Sequence, residues 1–258
     1  MITVSTLFSG SSGNSTLIRS ENTAILIDAG RNCKAVCLSL ESLGLSLSDI
    51  SAIFITHEHT DHISALDVLS KKKQTPIHVT EPSAKEVCRK FAAAECAVIH
   101  RGLCFEEKIG DLTVQSFPLP HDSAAHVGYR IYSDDSDCAG VATDMGFPTM
   151  EAFDNLRYCR QIVIESNHDI EMLKRGPYPE HLKQRILSRY GHLSNEASAE
   201  LCLGLAEAGC EKFMLAHLSA ENNTPEKALT TVKEKLCNGG FADKVTVKIA
   251  PREYALTL

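Results

Sequence analysis

The stretch FITHEHTDHISAL, residues 54 to 66, sets His57, Glu58, His59, Asp61 and His62 within six positions, between apolar flanks. The segment leading into it, DISAIFIT, is apolar enough for a strand buried on both faces, so the cluster falls at a strand end. If the chain leaves that strand as a loop, His57 and His59 turn to one side while Asp61 and His62 swing toward a second point nearby. Imidazole and carboxylate suit Zn, Mn or Fe, and two such ions about 3.5 to 4 Å apart can clamp a hydrolytic transition state. The bland alternative is a solvated loop with coincidental histidines; three histidines and an aspartate at this spacing outweigh it.

A two-metal site needs further donors, and other strand ends offer them. Asp28 closes AILIDAG, His121 follows a strand in FPLPHDS, Asp144 ends GVATDMG, and His217 ends FMLAHLS. Any one alone reads as a loop aspartate or a packed histidine; the set is harder to reach by accident. His126 is the rival to His121, which is preferred because Pro120 stiffens its approach. His78, His100 and His181 have no partners in the pattern and are expected to be structural or exposed.

Strands are expected at Thr3, Ser15 and Thr23, with the small-residue loop SGSSGNS, residues 9–15, between the first two. A helix over CKAVCLSLESLG stops at Gly44. After the cluster, ISALDVLSKKK reads as helix, PIHVT as strand and EPSAKEVCRKFAAAE as helix with Pro82 in its first turn. The middle is strand-rich, and the second half alternates strands with helices at PEHLKQRILSRYG, SNEASAELCLGLAEAG and from Pro225. This alternation predicts an α/β fold of two sheets flanked by helices, as one domain over residues 1–258.

With 26 Lys and Arg against 33 Asp and Glu the net charge is −7, so no basic excess advertises a polyanion partner. No N-terminal targeting pattern and no apolar run near the roughly 20 residues of a membrane span is present, so the chain is expected to be cytoplasmic and without a membrane partner. Ten scattered cysteines without a CxxC are expected to be reduced and mostly buried.

The ordered set of an early Asp, H-x-H-x-D-H, a His, an Asp and a final His resembles the metallo-β-lactamase superfamily across essentially the whole chain. The resemblance implies a four-layer αββα sandwich with two mixed sheets and the metals at one sheet edge. It also implies that His57, His59 and His121 hold one metal, that Asp61, His62 and His217 hold the other, that Asp144 bridges, and that Asp28 orients a ligand by hydrogen bonding.

Metal motifs do not name a substrate. Glu165 in VIESNHD and His192 in YGHLSNEASAEL are placed as in RNase Z-type phosphodiesterases, which they resemble, where such a pair protonates the leaving oxygen. The bland reading is that Glu165 ends a strand and His192 precedes a helix capped by Ser194 or Asn195. SGSSGNS, THEHTDH, the run from Glu165 to Ile186, GHLSN and HLSAENN together resemble the WalJ/YycJ (VicX-like) family; His126 departs from it, standing where a Pro is expected before VGY. That resemblance implies a dinuclear-metal-dependent 5′-to-3′ exonuclease on double-stranded DNA. It further implies that water acidified by the metals attacks phosphorus and that Asp61, Glu165 and His192 are catalytic.

Ser11, Ser12, Asn14, Ser219, Asn222 and Asn223 are candidate phosphate or substrate contacts, the loop of residues 9–15 being otherwise a tight turn. The positive charge for DNA falls to the metals and to Lys71, Lys72, Lys73, Lys183, Arg185 and Arg189, which otherwise read as solvated helix faces. The alternatives are a small-molecule hydrolase (cyclic-phosphate diesterase, lactonase or thioesterase type) and a non-enzymatic binding protein of the same fold. Metal identity, DNA against RNA, polarity and oligomeric state stay open at this point.

Overall fold

The computed structural model describes residues 1–72, 74–90 and 97–258; Lys73, residues 91–96 and the side chain of Lys72 lie outside that set. The chain opens with β1 (Thr3–Phe8), β2 (Ser15–Arg19), β3 (Ala24–Ile27), α1 (Cys33–Ser42) and β4 (Ile50–Phe54). The histidine cluster then leads through a short helix α2 (Thr60–Ile63) to α3 (Leu66–Lys72), β5 (Ile77–Thr80), α4 (Glu81–Lys90), β6 (Ala97–His100) and β7 (Glu106–Ile109). Next come β8 (Leu112–Pro118), β9 (Val127–Ser133), β10 (Cys138–Ala142), α5 (Met150–Leu156), β11 (Gln161–Glu165), α6 (Ile170–Arg175) and α7 (Glu180–Ile186). The chain closes with α8 (Asn195–Glu207), β12 (Lys212–Ala216), α9 (Pro225–Asn238), β13 (Thr246–Ile249) and β14 (Leu256–Thr257).

Among the described residues the strands form two seven-stranded mixed sheets, ordered β14-β1-β2-β3-β4-β5-β6 and β13-β12-β11-β10-β9-β8-β7. Period-two alternation divides their side chains between two faces. On β3, Ile25 and Ile27 enter the layer between the sheets with Phe54, Tyr129, Val141 and Met214. Leu26 points the other way, into a layer with Val36, Leu40, Leu66 and Val87 from the helices. The second sheet does the same: Ile162, Ile164, Phe213 and Leu215 face Leu156, Leu205, Val232 and Leu236. The result is the expected αββα sandwich.

Start and stop signals act where the sequence puts them. Gly44 takes φ +74 just past α1. Ser194 caps α8 by accepting from Ala197 N, and Thr224 caps α9 with Pro225 in its first turn. Several short elements depart from expectation. The cluster does not stay a loop: His59 is the N-cap of α2, so Asp61 and His62 sit on a helical turn. The strand β7 is polar and part-exposed, and the apolar β6 turns Val98 and Ile99 to solvent, so neither shows a clean buried-apolar alternation. The helices α5 and α6 are only six or seven residues long, too short for helical periodicity to register.

Topology places the functional residues on one rim. The strands β3 and β4 run parallel, as do β10, β11 and β12, and β8 shares their direction through its antiparallel neighbour β9. The C-terminal ends of these strands therefore meet on one edge, where chains leave a sheet with loops free to build a site.

Candidate metal centre

The first donor group consists of His57, His59 and His121, whose ligand atoms lie within 4.8 Å of one another; Asp61, His62 and His217 form the second, and Asp144 joins His57 and His62 in a third. Asp144 stands between the two histidine sets, with Oδ2 3.3 Å from His62 Nε2 and Oδ1 3.0 Å from His217 Nδ1. Asp28, Asp144 and His217 each leave their strands in the left-handed region, at φ +62, +57 and +56. That conformation is disfavoured for residues with a Cβ and persists where the surroundings impose it, which is characteristic of working sites.

Four of the five imidazoles are oriented through Nδ1. Thr56 donates to Asp28 through both N (2.8 Å) and Oγ1 (2.9 Å), so its hydroxyl oxygen is free to accept from His57 Nδ1 at 3.0 Å. His62 Nδ1 donates to Asp28 Oδ2 at 2.7 Å. His121 Nδ1 donates to Gly191 O at 3.2 Å, and His217 Nδ1 reaches Glu165 Oε1 at 3.1 Å. These bonds leave the Nε2 atoms of His57, His62, His121 and His217 for the donor groups, the hydrogen-bond-backed arrangement that tunes metal-ligating histidines. His57 Nε2, His217 Nε2 and Asp144 Oδ2 are buried with no hydrogen-bond partner in the protein. Buried polar atoms demand partners, and divalent cations held in the two donor groups would supply them. The donor set fits.

Charge differs between the two halves. Burial, aided by the neighbouring His62, pushes His57 well below the ordinary histidine range, and burial lowers His121 too; both keep a lone pair available. Around His217 burial is outweighed by Asp144, Asp61 and Glu165, which lift it to about 10, and His62 is lifted by Asp28, Asp144 and Asp61 in the same way. This half attracts positive charge strongly enough to hold protons, which a cation would displace.

Beside the clusters, Glu165 is fully buried at the end of β11 and accepts four contacts. Oε1 takes His192 Nδ1 at 2.7 Å and His217 Nδ1, while Oε2 takes the N–H groups of Met145 (2.7 Å) and Leu193 (3.1 Å). Burial works against the carboxylate, but His192 and His217 hold its pKa at about 2. His192 lies 5.1 Å, ring to ring, from both His121 and His217. Gly191 is required beside it: a Cβ there would sit 2.1 Å from Ile186 O.

The rival His126 packs against His57 and His121 but donates Nε2 to Thr143 O at 2.7 Å, and it joins none of the donor groups. Glu58, inside the cluster, accepts from Ser83 Oγ and Ala124 N, both at 2.8 Å, tying the loop that carries His121 to α4. His78 and His100 are structural, as expected, though not without partners: they contact each other at 3.1 Å in a ring column with Phe54 and Phe105.

Four residues expected to meet substrate are buried, and the side chains of three of them bond within the protein. Asn14 is buried, donates Nδ2 to Asp61 Oδ2 at 3.1 Å, and accepts from Gly10 N at 2.8 Å. Ser219 Oγ accepts from Asn222 N and forms the turn after His217. Asn223 donates to Ser166 O and Asn167 O, and the Asn222 side chain is fully buried, near Gly176. Ser11 and Ser12 are exposed. They line a cavity of about 320 Å³ with Gly10, Leu218, Ala220 and Arg252. Arg252 lies beyond every motif in the sequence; its contact with Leu218 O, beside His217, brings it there. Of the expected cations, Lys71 pairs with Asp67, Arg185 with Asp122, Lys183 donates to Lys174 O, and Arg189 lies over the Phe147 ring at 4.4 Å.

Known proteins resemble this chain in sequence and in fold. The family model described as the metallo-beta-lactamase superfamily matches residues 9–138. The exodeoxyribonuclease WalJ of Streptococcus pneumoniae is 35% identical over 251 residues, covering 95% of this chain and 92% of its own. The exodeoxyribonuclease YycJ of Bacillus anthracis is 33% identical over 240 residues, 92% and 90% of the two chains. The crystal structure of the metallo-beta-lactamase fold protein YhfI from Bacillus subtilis superposes with a TM-score of 0.73 at 16% identity, over 100% and 99% of the chains, a likeness of fold. No helix among the described residues is long and apolar enough to cross a membrane. The chain belongs to the metallo-β-lactamase superfamily of metal-dependent hydrolases, in the family to which WalJ and YycJ belong.

Proposed function

We propose that this chain, as one hydrolase domain, is a phosphodiesterase that works as a 5′-to-3′ exonuclease on double-stranded DNA, with two divalent ions, Zn, Mn or Fe. The observation that carries the reading is the buried Glu165 holding His192 at 2.7 Å beside two histidine clusters that share Asp144, in a chain whose relatives WalJ and YycJ are named exodeoxyribonucleases. His57, His59 and His121 would hold one ion, Asp61, His62 and His217 the other, with Asp144 between them. When bound, the ions supply Lewis acidity toward the phosphate and an ionised water at neutral pH.

The chain's own groups do the rest. His192 gives Nδ1–H to Glu165 and keeps Nε2–H for the departing alkoxide, a poor leaving group that needs a proton. The carboxylate accepts from Nδ1 at 2.7 Å and so orients that imidazole. Asp61 is held by Asn14 and lies at the rim with its side chain 22% exposed, where it receives the water's proton. Ser11, Ser12 and Arg252 offer hydroxyls and a guanidinium to a flanking phosphate.

The test is incubation of purified protein with end-labelled double-stranded DNA, RNA and cyclic nucleotides under Mn and Zn separately. His59→Ala is expected to abolish DNA cleavage, and His192→Ala to slow it about 10²–10⁴-fold with metal retained. Cleavage of cyclic nucleotides, lactones or thioesters with DNA left intact refutes the exonuclease reading.

A further inference from the structure

At the far end of the strand that leads to Asp144, Cys138 begins β10, and Cys159 lies just ahead of the parallel neighbour β11. Arg160 N donates to Cys138 O at 2.9 Å, so the ladder register itself brings the two cysteines together, and their sulfurs lie 3.0 Å apart. From the adjacent β9, Arg130 Nε reaches Cys138 Sγ at 3.3 Å. Cys138 and Arg130 line a surface cavity of about 570 Å³ together with Gln115, Tyr132 and Ser133. Cys159 lies behind, fully buried in the helix-facing core with Leu156 and Ile162.

The two thiols are unequal. The Cys159 thiol donating to Cys138, with the Arg130 guanidinium, outweighs burial and brings Cys138 down to about 7. Cys159 is pushed up, first by Cys138 and then by burial. A thiolate beside a cation at the base of a solvent-facing cavity, backed by a second thiol, is the arrangement that hydroperoxides oxidise selectively. None of these groups belongs to the metal centre.

We propose that Cys138 and Cys159 form a peroxide-reactive dithiol that closes to a disulfide across the entry of β10 and β11. The Cys138 thiolate attacks a hydroperoxide oxygen; the O–O bond breaks, the alcohol or water leaves with a solvent proton, and Cys138 becomes a sulfenic acid. Cys159 then loses its proton and attacks that sulfur; the S–O bond breaks and water departs. Two thiols are oxidised by two electrons and one hydroperoxide is reduced by two. The sulfurs need to close by only about 1 Å to reach bonding distance.

The test uses the full-length reduced protein, hydrogen peroxide at pH 6.5, alkylation in denaturant and peptide mass spectrometry. At that pH a thiol of pKa about 7 is about one quarter ionised, against about one hundredth for an ordinary one near 8.5. The weaker nucleophilicity of the less basic thiolate removes about fivefold of this advantage. The expected result is a linked Cys138–Cys159 peptide, two mass units lighter, forming about fivefold faster than oxidation of free cysteine under the same conditions, with the exposed Cys104 and Cys237 followed in the same digest. Cys159→Ser is expected to stop at a sulfenic acid on Cys138 that dimedone traps, and Arg130→Met to raise the pH of half-maximal rate. Oxidation of Cys104 and Cys237 with Cys138 and Cys159 still fully alkylated would overturn the proposal, as would absence of a dimedone adduct at Cys138 in Cys159→Ser.

Discussion

Glu165→Gln separates the role of this carboxylate from simple packing. Gln fills the same volume, so the buried site keeps its shape. Its carbonyl must face the N–H groups of Met145 and Leu193, which are fixed in the backbone 2.7 and 3.1 Å away. The amide NH₂ then points at His192 Nδ1 and His217 Nδ1, where Glu165 Oε1 sits at 2.7 and 3.1 Å. Two N–H donors cannot share that space with an amide donor, so each imidazole must move or carry its proton on Nε2. For His217 that removes the lone pair facing the metal cluster; for His192 it removes the carboxylate that accepts from Nδ1 and orients the ring. A charge-assisted hydrogen bond contributes about 1.5–3 kcal/mol, so loss at His192 alone predicts a rate about 10–150-fold lower. Loss of a partner behind a metal ligand predicts about 10–100-fold weaker metal affinity. Single-turnover cleavage of end-labelled DNA measures the first, and metal content after dialysis against graded chelator measures the second. Unchanged metal affinity together with a wild-type rate in Glu165→Gln would refute the orienting role.

Gly30→Ala should lower stability by about 2–3 kcal/mol, about 5–10 °C in melting temperature, because its Cβ would sit 2.0 Å from Asp61 O and 2.4 Å from Asn14 N; an unchanged melting curve would mean that the loop yields freely. Asp137 receives Arg160 through two 2.8 Å bonds and Ile2 N at 2.7 Å, which together outweigh burial and hold its carboxyl below the usual range. Its folded pKa is depressed, so its stabilisation is present above the unfolded value near 3.9 and fades as pH falls through the lower folded value. Asp137→Asn should therefore be about 1–3 kcal/mol less stable at pH 7, and chemical denaturation should find the gap closing below about pH 4. Arg252→Ala, in a His59→Ala background that binds without cutting, should reduce the slope of log affinity against log salt by about 0.9 if the guanidinium meets one phosphate; anisotropy titrations at graded salt with an unchanged slope exclude that contact.

Residue order determined a good deal of this protein. Asp28, the His57–His62 cluster, His121, Asp144, Glu165 and His217 are legible because each follows or ends an apolar strand, and strand order with parallel pairing sends those ends to one edge. His121 over His126 was also within reach, although its cause, the Nε2 bond from His126 to Thr143 O, was not. Which polar groups face solvent was decided only in three dimensions. Ser9 Oγ accepts from His217 N across 208 residues of sequence, Asn14 braces Asp61, and Asn222 and Asn223 are sealed inside, so their apparent availability as loop residues was misleading. The Cys138–Cys159 contact likewise depends on the register of two strands joined through a helix. Local spacing encodes which residue ends a strand, but exposure and partnership depend on the elements that pack against it, and those come from distant parts of the chain.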